Sequence, residues 1–394
     1  MGPLKGMKIV EFSGIGPAPM AAMLLSDMGA TVLRLERPTP SDLGLNRPHD
    51  LNFLNRGRRS VVLDLKRPEG VSLALSLVER ADALIEGFRP GTMERLGLGP
   101  GACLARNPRL VYGRVTGWGQ DGPLAAAAGH DLNYIALSGA LDAIGRRDQP
   151  PTLPLNLVGD YGGAAYLCIG MLAARIEAQK TGLGQVVDAA MLDAATSLMT
   201  ATYSLKAIGL HNGPRGTNML DSGSPYYDVY ECADGKYICV APIEAKFREQ
   251  LFALVGLPEG LAAQAVDPAR WPALRAELTA RFKDKARAHW CKLLEGTDAC
   301  FAPVLSMDEA AGHPHQQARG GFVDVGGVSQ PAPAPRFSRT VSEIPTPPEA
   351  PGESADAAMA EWGFSGAQIQ ALRHQGALLT RSDGKQTHDQ RVTP

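Results

Sequence analysis

The chain has 394 residues, of which 44% are apolar, and its 39 Lys and Arg nearly balance its 41 Asp and Glu. That length suits two or more compact regions with a sizeable core. The balanced charge leaves no electrostatic footprint for nucleic acid or an anionic membrane surface.

The first stretch alternates strands with helices. Residues 8–12 read as a strand, a Gly/Pro loop follows, and a helix runs over 20–28. Further strands are predicted at 31–36, 61–65, 83–86 and 110–116, with an amphipathic helix over 68–80. Such alternation implies a parallel sheet covered on both faces. A long helix over 160–180 is so apolar (Ala164, Ala165, Leu167, Cys168, Ile169, Met171, Leu172) that it is expected to be buried, and Lys180-Thr181-Gly182 stops it. A last strand at 185–188 and a helix over 189–209 follow. The pattern then changes: 226–232 and 236–242, joined by Ala233-Asp234-Gly235, read as a β-hairpin, then helices to 294 and a strand at 300–306. Residues 330–352 are proline-rich and read as an extended connector, 361–379 as a helix, and 380–394 as a disordered tail.

The expected organisation is therefore α/β. A large domain begins within 1–210, a linker spans 211–224, a small α+β domain spans 225–320, and 321–379 is a connector and C-terminal segment. No apolar run reaches the roughly eighteen residues of a membrane-crossing helix. Neither a secretory leader nor a peroxisomal address is legible at the ends, and six scattered cysteines without a C-x-x-C pair suit a reducing cytoplasm rather than a metal site. The expected location is cytoplasmic.

Gly14-Ile15-Gly16-Pro17-Ala18-Pro19 follows a strand, opens a helix, and has Glu36 about twenty residues on, which imitates a dinucleotide fingerprint. Pro19 stands at the third glycine position, and Pro17 and Pro19 lack the N–H groups that would hold a pyrophosphate. A plain turn is the simpler reading.

Three segments carry candidate chemistry: Gly129-His130-Asp131-Leu132-Asn133-Tyr134, Pro154–Gly163 with Asn156 and Asp160, and Ile243-Glu244-Ala245-Lys246-Phe247. Singly, each has a bland reading: a structural histidine, a helix N-cap, a first-turn acid. Together with Glu36-Arg37-Pro38, Leu63-Asp64-Leu65-Lys66, Gly87-Phe88-Arg89-Pro90-Gly91, Glu94-Arg95-Leu96-Gly97, Thr116-Gly117-Trp118-Gly119-Gln120 and Thr297-Asp298-Ala299-Cys300, they make the chain resemble the α-methylacyl-CoA racemases of the family III CoA-transferase superfamily. The resemblance runs from Met7 to about Ser338.

It implies a Rossmann-like large domain, a smaller α+β domain, and an interlocked homodimer whose C-terminal segment returns to the large domain. It also implies an acyl-CoA substrate, with no cofactor beyond that coenzyme A moiety. By resemblance, His130 and Asp160, assisted by Glu244, exchange the α-proton from opposite faces, and Asn156 orients one of them. Imidazole and a partly buried carboxylate can both serve as acid or base near neutrality. Amides at the helix start by Asp160 are expected to hold an enolate oxygen. Arg37 suits the 3′-phosphate, Lys66 and Arg95 are further CoA contacts, and Leu63–Lys66, Gly87–Arg89 and Gly129–Tyr134 (including Asp131, Leu132 and Asn133) line the pantetheine and adenine path.

One departure is Pro242 and Lys246 around Glu244, where the family usually has Gly-Ala-Ile-Glu-Pro-Gln-Phe. A family III CoA-transferase with Asp160 as nucleophile, and a non-catalytic acyl-CoA-binding protein, stay open as alternatives. So does the acyl chain: sterol side chain, branched fatty acid or aryl-propionate.

Overall fold

A computed structural model describes residues 2–39, 44, 45 and 47–380, so the tail expected at 380–394 lies almost wholly outside the described residues. By their internal contacts, the residues form two units. The first comprises Met1–Tyr134, Asn156–Ala195 and Phe322–Pro394; the second comprises Ile135–Leu155 and Thr196–Gly321. The expected first domain ran unbroken to 210; here 135–155 and 196–210 belong to the second unit.

In the first unit, β1 (Lys8–Phe12), β2 (Thr31–Glu36), β3 (Arg59–Val62), β4 (Ala83–Glu86), β5 (Val111–Thr116) and β6 (Val186–Ala190) form one sheet in the order β3-β2-β1-β4-β5-β6. Every neighbouring pair is parallel. This is the doubly wound order, with its switch between β1 and β4, outside whose carboxyl ends such sheets bind ligands. β4 and β5 are buried along their whole length, as strands covered on both faces must be.

One face carries a core around Leu33, Leu73, Leu77, Leu84 and Tyr112, completed by Met359, Trp362 and Ile369 of the C-terminal segment. The other carries Ile9, Leu25, Ile85, Leu167 and Met171. Gly113 lets the helix Asp160–Thr181 lie close on β5: a Cβ there would stand 2.8 Å from Met171 Sδ.

That long helix corrects one expectation. Ala164, Leu167, Cys168, Met171, Ala174 and Ala178 are buried, but Ala165, Ile169, Ala173 and Ile176 are exposed. The helix is a single layer on the sheet, so only the stripe facing the strands is covered.

Within the second unit, β7 (Asp228–Glu231), β8 (Tyr237–Val240) and β9 (Phe301–Val304) make an antiparallel sheet. Its core of Tyr230, Ile238, Phe252, Leu278, Phe282 and Trp290 is separate from the other two. Residues 332–353 carry no helix or strand, consistent with an extended connector. Just before them, β10 (Phe322–Val325) and β11 (Val328–Pro331) form a hairpin that the sequence reading missed. The helix expected at 361–379 is instead two, Ala355–Glu361 and Gly366–His374, broken at Gly363 with φ 84°. No helix among the described residues is long and apolar enough to cross a membrane.

Candidate active site

Asp160 is the first residue of the long helix, not its N-cap; Gly159 takes that place, with no side-chain cap of its own. The Asp160 carboxylate accepts a hydrogen bond from Asn156 Nδ2 at 3.2 Å. It also faces the loop leaving β1: a Cβ on Gly16, whose φ is 67°, would lie 3.4 Å from Asp160 Oδ2. The Gly14–Pro19 loop thus turns the chain and leaves room for a carboxylate at the switch point of the sheet. The turn delivering Asn156 leaves Leu155 with φ 57°, a left-handed conformation uncommon for leucine and concentrated at functional sites.

Burial raises the pKa of Asp160 above the usual aspartate range; the Asn156 hydrogen bond opposes this, the Asp131 charge adds to it, and His130 lowers it. The carboxyl is therefore shifted toward neutrality, as an acid–base group needs. His130 is exposed, and its main chain is fixed: its N–H donates to Asn133 Oδ1 at 3.0 Å, and its carbonyl accepts from Asn133 N–H at 2.8 Å. The structure brings His130, Asn156 and Asp160 together.

The expected amide donors for an enolate are not free. Asp131 Oδ2 accepts from Gly159 N–H at 2.7 Å and Asp160 N–H at 2.8 Å. The amides of Tyr161, Gly162 and Gly163 donate to the carbonyls of Asn156, Leu157 and Gly159. The first turn is satisfied from within the chain, which corrects the expectation of an oxyanion hole there.

Of the predicted coenzyme contacts, Arg37, Lys66, Gly87, Arg89, Arg95, Leu132 and Asn133 are exposed, and Asp64, Leu65, Phe88 and Gly129 are half-buried. Arg37 follows β2, and the Asp64 carboxylate accepts from Lys66 N–H at 3.0 Å, shaping the turn after β3. Leu63, Asp131 and Tyr134 are interior. The Tyr134 ring meets Trp118 edge-on at 4.8 Å, and Gly117 and Gly129 leave room for it. Those three side chains serve packing and the helix end rather than a surface path.

Two further residues set the Gly87–Arg95 stretch. Buried Glu86, at the end of β4, accepts from Phe88 N–H at 2.8 Å and from Arg114 Nε at 2.7 Å, while Arg114 also pairs with Glu94 at 2.9 Å. Burial raises Glu86, against the pull of those two donors. Glu86 closes the strand predicted at 83–86, but nothing local linked it to Arg114, 28 residues away.

In the second unit, Glu244 is the exposed N-cap residue of the helix Ala245–Leu254. Buried Arg248 braces the turn before it by donating to the carbonyl of Ile243, and its guanidinium lies over the Tyr226 ring. Lys246 is drawn over the Phe247 ring, 4.6 Å from its centre. Among the described residues, no cluster of His, Cys, Asp or Glu is arranged to hold a metal ion.

Comparison with known proteins agrees with this architecture. The α-methylacyl-CoA racemase of Homo sapiens is 40% identical over 94% of this chain and 96% of its own. Acetyl-CoA:oxalate CoA-transferase of Acetobacter aceti is 30% identical over 84% of this chain and 88% of its own. The crystal structure of a CaiB/BaiF family protein from Brucella suis superposes with a TM-score of 0.80 at 27% identity, covering 92% of this chain and 99% of that one. The profile of CoA-transferase family III matches residues 4–355, and the chain belongs to that family.

Proposed function

We propose that the protein inverts the α-carbon of 2-methylacyl-CoA thioesters by removing a proton from one face and returning one to the other. The observation that carries this reading is the half-buried Asp160, shifted toward neutrality beside Asn156 and His130. His130 takes the α-proton of one enantiomer, and Asp160 takes that of the other. The thioester carbonyl receives the electron pair as an enolate oxygen, and the opposite group reprotonates the carbon. The 40% identity to an α-methylacyl-CoA racemase supports the same choice.

The second reading is CoA transfer through Asp160 as nucleophile, favoured by the 30% identical acetyl-CoA:oxalate CoA-transferase. A carboxylate whose pKa is raised ionises less readily, but the raise alone does not exclude attack on a thioester. The two part on one test. Solvent deuterium should enter the α-position of a 2-methylacyl-CoA with no acceptor acid present; strict dependence on an acceptor would establish transfer instead.

Arg37 is exposed beyond β2, where nucleotide folds read the ribose end. Arg37→Ala should therefore raise KM and leave kcat nearly unchanged, because a contact far from the reacting carbon contributes uniform binding. Steady-state kinetics decide this: a collapsed kcat at constant KM would remove Arg37 from the nucleotide end.

The chain should also be a homodimer whose subunits exchange slowly. The exposed apolar stripe with Ile169 and Ile176, and the long irregular connector, support this reading. Interlocked chains cannot part without large-scale unfolding. A folded, active monomer by light scattering would rule it out.

A further inference from the structure

Asp131 does more than the sequence suggests. It is 5% exposed and lies 28 residues before Gly159 in the chain, yet one of its carboxylate oxygens holds two successive amides there. The fit requires glycine at 159: a Cβ would stand 2.7 Å from Asp131 Oδ2. The other oxygen, Oδ1, is buried with no hydrogen-bond partner among the described residues. A carboxylate used only as a cap would gain from solvent or a cation on its second oxygen; this one is kept inside, next to another carboxyl.

We infer that Asp131 is the positioning residue for Asp160, fixing through two amides the backbone from which that side chain projects. Its charge adds to the effect of burial in favouring the proton on Asp160. The inference rests on the reading of Asp160 as an acid–base group. Within the first unit, His130 and Asp131 act on the charge of Asp160. His130 and Asp131 come from the start of the helix Asp131–Leu137, with Tyr134 behind them and Arg89 acting on Tyr134; Asn156 comes from the preceding turn. Of these, Asp131 pushes Asp160 toward the neutral form and His130 toward the charged form. The pair therefore sets a balance at one carboxyl: the imidazole favours the base, the buried carboxylate favours the acid.

The test uses Asp131→Asn, which keeps an acceptor for both amides and removes the charge. Carboxyl-labelled aspartate is followed by NMR across pH in the full-length protein, and Asp160→Asn assigns the Asp160 signal. In the wild type, Asp160 should titrate above the ordinary aspartate range, and in Asp131→Asn it should titrate lower. In the same variant, exchange of the enantiomer served by Asp160 should slow at neutral pH, while exchange on the His130 face and KM hold. Asp131→Ala removes the anchor as well and should cost that face roughly a hundred-fold, the scale of a misplacement near 1 Å.

An Asp160 titration unmoved in Asp131→Asn, or an ordinary titration in the wild type, would overturn the inference, as would equal loss on both faces. The wild-type titration holds even if a variant fails to fold. It also needs no substrate. A chain that exchanges no α-proton would defeat the acid–base reading, while the titration would still decide whether Asp131 governs Asp160.

Discussion

His130→Ala should still exchange the α-proton of the enantiomer that Asp160 deprotonates, yet be slowed by roughly two to four orders of magnitude with the other enantiomer. Asp160→Asn should show the reverse preference. The reasoning is that each group serves one face, so its loss blocks inversion without blocking every exchange event. The Asp160 substitution is conservative in shape: the helix start is held by Asp131 on main-chain amides, so the backbone should stay in place when the carboxyl becomes an amide. The measurement is deuterium incorporation into each pure enantiomer of one 2-methylacyl-CoA, taken before inversion becomes appreciable. Equal loss for both enantiomers in both folded variants would count against separate faces. Full retention in Asp160→Asn would remove Asp160 from proton transfer.

Arg58→Met should destabilise the folded chain by about 3–5 kcal/mol, the usual cost of leaving one member of a buried ion pair uncompensated. Arg58 is wholly buried and donates to Glu11 Oε2 at 2.7 Å and to the Pro19 carbonyl at 3.2 Å. Burial already outweighs pairing for both partners: it raises Glu11 and brings Arg58 down to about 10. Without Arg58, Glu11 would be a buried acid with a folded pKa still further above its unfolded one. The folded state then favours the proton, so stability is retained in acid and lost as pH rises through the folded pKa. Urea unfolding should show a larger loss at pH 8 than at pH 5, and Glu11→Leu in the same chain should recover much of it. A loss under about 1 kcal/mol, equal at both pH values, would show that the pair is not what holds β1 to the start of β3.

Much of the sheet was legible because its strands are short runs rich in apolar and β-branched residues, separated by helical runs; β1, β2, β4 and β5 fall within a residue or two of expectation. The motif residues His130, Asn156 and Asp160 do converge, although 26 residues separate His130 from Asn156 in the sequence. What escaped was long-range. The capping of Gly159 and Asp160 by Asp131 has no local signature, since each of those residues has an equally good local role as turn or cap. The interior places of Tyr134 and Leu63 follow from packing against neighbours distant in sequence. The long helix misled because its composition is nearly apolar all round, and only the sheet decides which stripe is covered. The β10–β11 hairpin did have a signal: Gly326-Gly327, both with positive φ, between short apolar runs is a two-residue hairpin turn. The proline-rich stretch beginning at 330 drew the reading toward a connector one element too early.

The most direct measurement of the central claim starts from each pure enantiomer of a 2-methylacyl-CoA in heavy water, with the wild-type protein and no acceptor acid. The account predicts that both converge on the same mixture of enantiomers, with solvent deuterium at the α-carbon of the inverted product and the thioester intact. Configuration that stays fixed without an acceptor, together with CoA passing to a carboxylic acid once one is added, would contradict it.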